Sequence, residues 1–119
     1  MGAQSTVLTW DLLRSLAATS FTGSYVAVGT PLTVRPRIIR FVNNTNQSVT
    51  ISIDGVNDYD ALPNGMAVTY EIGTNRGNPS PESVIQQGTQ FYVKGAVGTG
   101  TFYIVDLYAQ DASPAITGL

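Results

Sequence analysis

The sequence predicts an all-β protein: an antiparallel, jelly-roll-like β-sandwich with an N-terminal arm or short helix. Three observations carry this expectation. From residue 24 onward apolar and polar residues alternate with a strand period of two, not a helical one. The alternating runs are short, six or seven of them at intervals of roughly 10 to 17 residues, as in sandwiches and jelly rolls. The 12 Gly and 6 Pro, with clusters of Asn and Asp, supply turn chemistry around these runs. A chain of 119 residues has room for one core and not two. The expected organisation is an arm or short helix over residues 1–23, a sandwich over 24–108 and a tail over 109–119.

The first segment has two readings. Val7, Trp10, Leu13 and Ala17, with Leu12 and Leu16 beside them, are spaced as on a helix face. Against a helix, Thr6, Val7 and Thr9 are β-branched, and no Glu or Gln completes a capping box after Thr9. The segment is then an extended arm, which the sandwich does not need for folding. It lacks the basic start of a secretory signal and is interrupted by Trp10-Asp11 and Arg14. No apolar run approaches the roughly 20 residues of a membrane-spanning helix.

Tyr25-Val26-Ala27-Val28 reads as a short strand stopped by Gly29 and Pro31, and Pro31 and Pro36 confine residues 32–35 to an edge or a connection. Residues 37–42 and 48–54 form the most evident hairpin, with Asn43-Asn44-Thr45-Asn46-Gln47 as its loop. Val49, Ile51 and Ile53 alternate with Thr50, Ser52 and Asp54, a strand with one buried face. The first arm carries apolar groups on both faces and reads as a central strand. An acidic turn over residues 56–61 precedes Pro63-Asn64-Gly65 and another strand, in which Met66, Val68, Tyr70 and Ile72 share a face. Residues 73–87 are polar and read as a long surface loop. Residues 90–94 and 101–108 are the last strands, joined by a glycine-rich hairpin loop, and the tail is an extended arm or disordered.

The absent residue types exclude more chemistry than the present ones suggest. With no His and no Cys, zinc sites, Ser-His-Asp triads, Cys-His pairs and disulfides are all ruled out. Six basic and eight acidic residues give a net charge of -2, without the cationic surplus that binding a phosphate backbone needs. No two carboxylates are placed to face each other across a cleft, no Ser-x-x-Lys spacing surrounds Lys94, and the glycines at 95–100 lack a phosphate cradle's context. The expectation is a protein that is not an enzyme and uses no cofactor, small-molecule substrate, nucleic acid or membrane.

Three groups could still bind something. Asp54, Asn57, Asp58 and Asp60 are the densest oxygen cluster and a Ca²⁺ candidate, although their spacing is not that of an EF-hand and turns favour the same residues. Tyr92 and Tyr103 fall out of phase with the core aromatics and could form a sugar-stacking platform or a subunit interface. Arg35, Arg37 and Arg40 hold half of the positive charge and suit carboxylates of a neighbouring subunit. Trp10, Leu12, Leu13 and Leu16 exceed what a core of this size holds and join the interface candidates.

Leu13-Arg14-Ser15-Leu16-Ala17, Ser24-Tyr25-Val26-Ala27-Val28-Gly29-Thr30-Pro31-Leu32, Ile39-Arg40-Phe41-Val42-Asn43-Asn44-Thr45-Asn46 and Ile51-Ser52-Ile53-Asp54-Gly55 form a recurring set of strand and turn signatures. Leu62-Pro63-Asn64-Gly65, Asn75, Gly88-Thr89-Gln90-Phe91-Tyr92-Val93-Lys94 and Gly100-Thr101-Phe102-Tyr103-Ile104 extend it over most of the chain. In these the sequence resembles a group of small structural proteins of tailed-bacteriophage virions. The resemblance implies a nonenzymatic sandwich present in multiple copies in the particle, as a capsid decoration or cement protein or in the neck or tail. Its partners would be further copies of itself and other virion proteins, and its location the virion, assembled in the bacterial host cytoplasm. The alternative is a receptor- or carbohydrate-binding module.

Overall fold

The computed structural model describes residues 6–72 and 85–111. Nine strands follow in order: β1 (Thr6–Trp10), β2 (Arg14–Ala17), β3 (Val26–Ala27), β4 (Pro36–Thr45), β5 (Val49–Ser52), β6 (Asp60–Leu62), β7 (Ala67–Glu71), β8 (Tyr92–Lys94) and β9 (Gly100–Asp111). The one helical element among the described residues is a 3₁₀ turn, Ala18–Ser20. The larger sheet has the order β1-β9-β4-β7, with β2 also on β9, and the smaller has β3-β8-β5-β6. All pairs are antiparallel.

The pairing defines a jelly roll. β5 pairs with β6, β4 with β7, β3 with β8 and β2 with β9, which is one long hairpin of eight strands. Rolling that hairpin over itself brings β4 against β9 and β5 against β8, and so completes two four-stranded sheets. The predicted all-β sandwich is the observed fold.

Between the sheets lie Ile39, Phe41, Phe102 and Ile104 from the larger and Val49, Ile51, Leu62 and Val93 from the smaller, all buried. Phe21, Val28, Leu32 and Phe91 close the ends. Phe41 is central: Phe91 and Tyr70 meet it edge-on at centroid distances of 5.3 and 5.9 Å, and Phe102 stacks at 6.3 Å. Edge-to-face rings gain beyond the area they bury, so this cluster orients β4 as well as filling space.

Five sequence expectations are corrected. The segment proposed as a helix or a detached arm is extended and belongs to the sandwich: β1 and β2 run along β9. Its β-branched residues fit a pleated ladder, and the apparent helical spacing spans a bulge. Trp10 lies opposite Leu107 and Arg14 opposite Ile104, so residues 11–13 face only residues 105–106. The sandwich boundary at residue 24 is therefore displaced to the start of β1. At the other end, β9 continues past residue 108 to Asp111, while residues 112–119 lie outside the described residues, as do residues 73–84 of the long loop.

β4 and β5 do not form a hairpin. They lie in different sheets, and residues 46–48 cross between them. The crossing is held by a buried polar knot. Asn43 donates from Nδ2 to the carbonyls of Gln47 (2.8 Å) and Leu62 (3.0 Å), and its Oδ1 accepts from Thr45 Oγ1 (2.6 Å). The glycine-rich connection expected to close a hairpin likewise crosses from β8 to β9, and Asn46 ties the two crossings together: its N–H donates to Thr99 O and its Oδ1 accepts from Thr99 N. Gly100 has φ +92°, and a Cβ there would lie 2.2 Å from Asn44 O, so only glycine passes this close to β4.

Asn43→Ala removes the side-chain donor to the buried Leu62 carbonyl and one of two donors to Gln47 O, while Asn44→Ala removes an exposed side chain. The first is expected to cost about 2–3 kcal/mol and the second under about 0.5 kcal/mol in urea unfolding. Equal effects would contradict the role given to Asn43.

Candidate functional site

A buried ionic cluster occupies the bulge in the N-terminal strand. In β9 the core-facing residues alternate as Phe102, Ile104 and Asp106, so the strand carries a carboxylate, fully buried, into the interior. On the neighbouring strand, Arg14 is 6% exposed and spends every part of its guanidinium. Nη1 reaches Asp106 Oδ1 at 3.2 Å, Asp11 Oδ2 at 2.9 Å and Leu12 O at 3.2 Å. Nε donates to Thr30 O at 2.8 Å and Nη2 to Pro31 O at 3.2 Å. One side chain thus joins the first strand, the last strand and the loop between β3 and β4. Gly29, at φ +66°, lies beneath it: a Cβ there would stand 2.8 Å from Arg14 Cγ.

The cluster holds two acids against one base, and their environments split them. Burial pushes the Asp106 carboxyl up to about 6, with the Asp11 charge and a hydrogen bond shared with Asp11 adding to the shift and Arg14 opposing it. Burial also works against ionising Asp11, but hydrogen bonds from Arg14 and from the Leu12 backbone hold it below the usual carboxylate range. Asp106 Oδ2 has no hydrogen-bond partner among the described residues. The arrangement crosslinks strands, and Asp11, Arg14, Ser15, Thr30 and Thr33 line an adjoining depression of about 340 Å³.

Of Asp54, Asn57, Asp58 and Asp60, Asp54 and Asn57 bond each other, while Asp58 and Asp60 bond elsewhere. Asp54 Oδ1 accepts from the N–H groups of Val56 (2.8 Å) and Asn57 (2.9 Å) and from Ser52 Oγ (2.8 Å). Its Oδ2 accepts from Asn57 Nδ2 and Tyr59 OH, both at 2.9 Å. These donors, the Asn57 and Val56 backbone first, hold the Asp54 carboxyl far below its ordinary value. Asp58 turns instead to Tyr25 OH and Lys94 Nζ, and Asp60 to Tyr70 OH. Among the described residues no group of three or more acidic side chains is gathered as a metal would require. The turn folds over the outer face of the smaller sheet, where it helps bury Ser52 and leaves Ile53, Val56 and Tyr59 exposed.

The aromatic pair is divided between the sheets. Tyr92 is on β8, its ring against Gly55, and Tyr103 is on β9, so they stand on opposite outer faces and form no common platform. A shallow depression of about 440 Å³ on the smaller sheet, lined by Gly23, Thr50, Ala61 and Lys94 among others, has no aromatic ring in its wall.

The interface candidates separate clearly. Leu16 points inward, packed on the core. Arg35 is exposed in the loop before β4, and Arg37 is half-buried, its Nε 3.4 Å from Ile72 O. Leu12 and Leu13, at the tip of the bulge, are 82% and 60% exposed. Trp10 is 69% exposed and shares the outer face of the larger sheet with Arg40 and Tyr103. Sequence reasoning missed Arg14, Asp11 and Asp106. A signal was present for Asp106, which falls in the core phase of its strand; for Arg14, the only cation in an apolar run, the signal was weaker.

A scan against protein-family models finds no match to this chain, and a search of curated proteins finds no relative.

Arg14→Met leaves Asp106 buried without its counter-ion and is expected to cost about 3–5 kcal/mol, whereas Arg14→Met with Asp106→Leu recovers most of that loss. Urea unfolding of both variants checks this, and a double variant as unstable as the single one would count against it. The folded chain holds a proton on Asp106 that the unfolded chain releases near pH 4. Stability therefore falls as pH rises from about 4 to about 6, by up to about 3 kcal/mol, and the loss is complete above that window. Asp106→Asn is expected to flatten this fall in unfolding free energies measured from pH 4.5 to 7.

Proposed function

We propose that this protein is a structural subunit of a bacteriophage virion, a decoration, cement, neck or tail component that works by packing against its neighbours. The observation that carries the reading is the contrast between its two outer faces. The smaller sheet is covered by a hydrogen-bonded turn, whereas the larger carries no such cover among the described residues and presents an exposed Trp10 beside half-buried Ile38, Val105 and Leu107 around one arginine, Arg40. A further apolar tip, Leu12 and Leu13, adjoins that face. In a chain with 12% charged residues, a continuous apolar surface of this kind marks a protein contact. The jelly roll recurs in capsid and lectin domains, a fold-level analogy that supports the assembly reading and by itself selects no function. A lectin-like reading would require converging aromatic and polar groups, and Tyr92 and Tyr103 diverge.

The expected places for this chain's gene are beside genes for a portal, major capsid or tail protein. Quantitative mass spectrometry of purified particles of the encoding phage is expected to find the chain in multiple copies, and its absence from them would overturn the proposal. A Leu12→Ser, Leu13→Ser variant is expected to fold with a stability change of about 1 kcal/mol or less, since both side chains are exposed, and to enter particles at a reduced level.

A further inference from the structure

The strand register sets four outer-face residues of the larger sheet in one row. Trp10 lies opposite Leu107, Leu107 opposite Ile38, and Ile38 opposite Glu71, so the row runs from the β1 edge across β9 and β4 to the β7 edge. Arg40, two residues along β4 on the same face, stands diagonal to Glu71 and beside Val105. Trp10, Ile38, Arg40, Thr69, Val105 and Leu107 together wall a depression of about 250 Å³. The face therefore offers a projecting indole, a hollow lined by a guanidinium, and one charge of each sign at the rim.

We infer that the occupant of this face is a second copy of the same chain, packed sheet to sheet about a two-fold axis that runs along the strands between β9 and β4. The inference rests on the assembly reading above and names its first partner. That axis turns the row onto itself in reverse. Leu107 then meets the partner's Ile38, and each Trp10 reaches the opposite β7 edge, where Glu71 and Arg40 stand. A carboxylate there accepts from the indole N–H, and the Arg40 guanidinium, diagonal to it, stacks on the indole face. The face is thus complementary to itself in shape and in charge, which is the requirement of an isologous contact. Its size also suffices: the five strands of the larger sheet, at about 3.3 Å per residue and about 4.8 Å between strands, span on the order of 600 Å² in plane. Side-chain relief brings the accessible surface near the about 800 Å² per partner of a standard interface. Trp and Arg are the residue types that dominate such contacts, and both occupy this face.

Trp10 is the chain's only tryptophan, so its fluorescence reports on this face alone. Sedimentation and fluorescence of the full chain across a dilution series from about 100 µM to about 1 nM, spanning weak to tight interfaces, test the inference. The expected result is a dimer whose indole emission is blue-shifted and shielded from iodide, both signals reverting on dilution. Trp10→Ala, Arg40→Glu and Glu71→Arg are each expected to weaken dimerisation at least tenfold while melting temperature and circular dichroism show a folded chain. A monomer at every concentration, a dimer indifferent to Trp10, or an indole shielded only in the particle and not in the isolated dimer range overturns the inference. The last outcome would assign the face to another virion protein. A chain that is monomeric yet present in virions refutes the dimer and leaves the assembly reading standing; a dimer absent from virions does the reverse.

Discussion

The arrangement of the sandwich turns on a charge that cannot leave the interior. Asp106 projects from the core-facing side of the longest strand, where its carboxylate is cut off from water. A buried acid is tolerated only if it is paired or keeps its proton, and the fold uses both means: Arg14 donates to it, and burial beside Asp11 raises its affinity for a proton. To reach Asp106, Arg14 must lie on the neighbouring strand at the bulge. From there its remaining donors satisfy the carbonyls of Thr30 and Pro31, which anchors the connection into β4. The N-terminal strand is thus held in the sheet by an interaction that specifies its register as well as its presence. Sliding β2 by one residue would turn Arg14 outward and leave Asp106 without its counter-ion.

That anchoring shapes the exterior too. The extra residue of the bulge divides the strand into β1 and β2, and residues 12 and 13 form its solvent-facing tip. On the β1 side of the bulge, the register puts Trp10 on the outer face beside Leu107 and not in the core. The same buried pair that closes the core therefore orients the most conspicuous group on the surface. The two outer faces diverge for a local reason as well. Asp54 gathers its donors into a compact turn over the smaller sheet, and no comparable turn covers the larger one among the described residues.

The aromatic cluster and the polar knot divide the remaining work. Phe41 and its neighbours provide apolar burial in the middle of the sandwich, where ring geometry favours one arrangement of β4. Asn43 and Thr45, on the same strand toward its end, are equally buried but supply hydrogen bonds that turn the chain into the opposite sheet. A single strand thus changes function along its length, from core wall to corner post. The second crossing, from β8 to β9, rests on Asn46 at the same corner.

The sequence by itself determined the class of the fold, the positions of most strands and the alternation that buries Ile39, Phe41, Ile51, Val93, Phe102 and Ile104, because a period of two is a local property of the chain. It also placed Trp10 and Arg40 among residues suited to a partner. Only the tertiary structure decided which strands share a sheet. The run of Asn and Thr after residue 42 reads equally as a hairpin turn or an inter-sheet corner, and the choice depends on carbonyls of Gln47 and Leu62 that Asn43 meets only in the folded chain. It decided likewise that the N-terminal segment belongs to the larger sheet, since helix-like spacing disappears once a bulge is inserted, and the partner of Arg14 is 92 residues away. The site was the least legible part for the same reason. Asp58 and Asp60 are close to Asp54 in sequence but bond to other partners, whereas Trp10, Leu107, Ile38 and Glu71 are scattered in sequence and aligned by pairing across four strands.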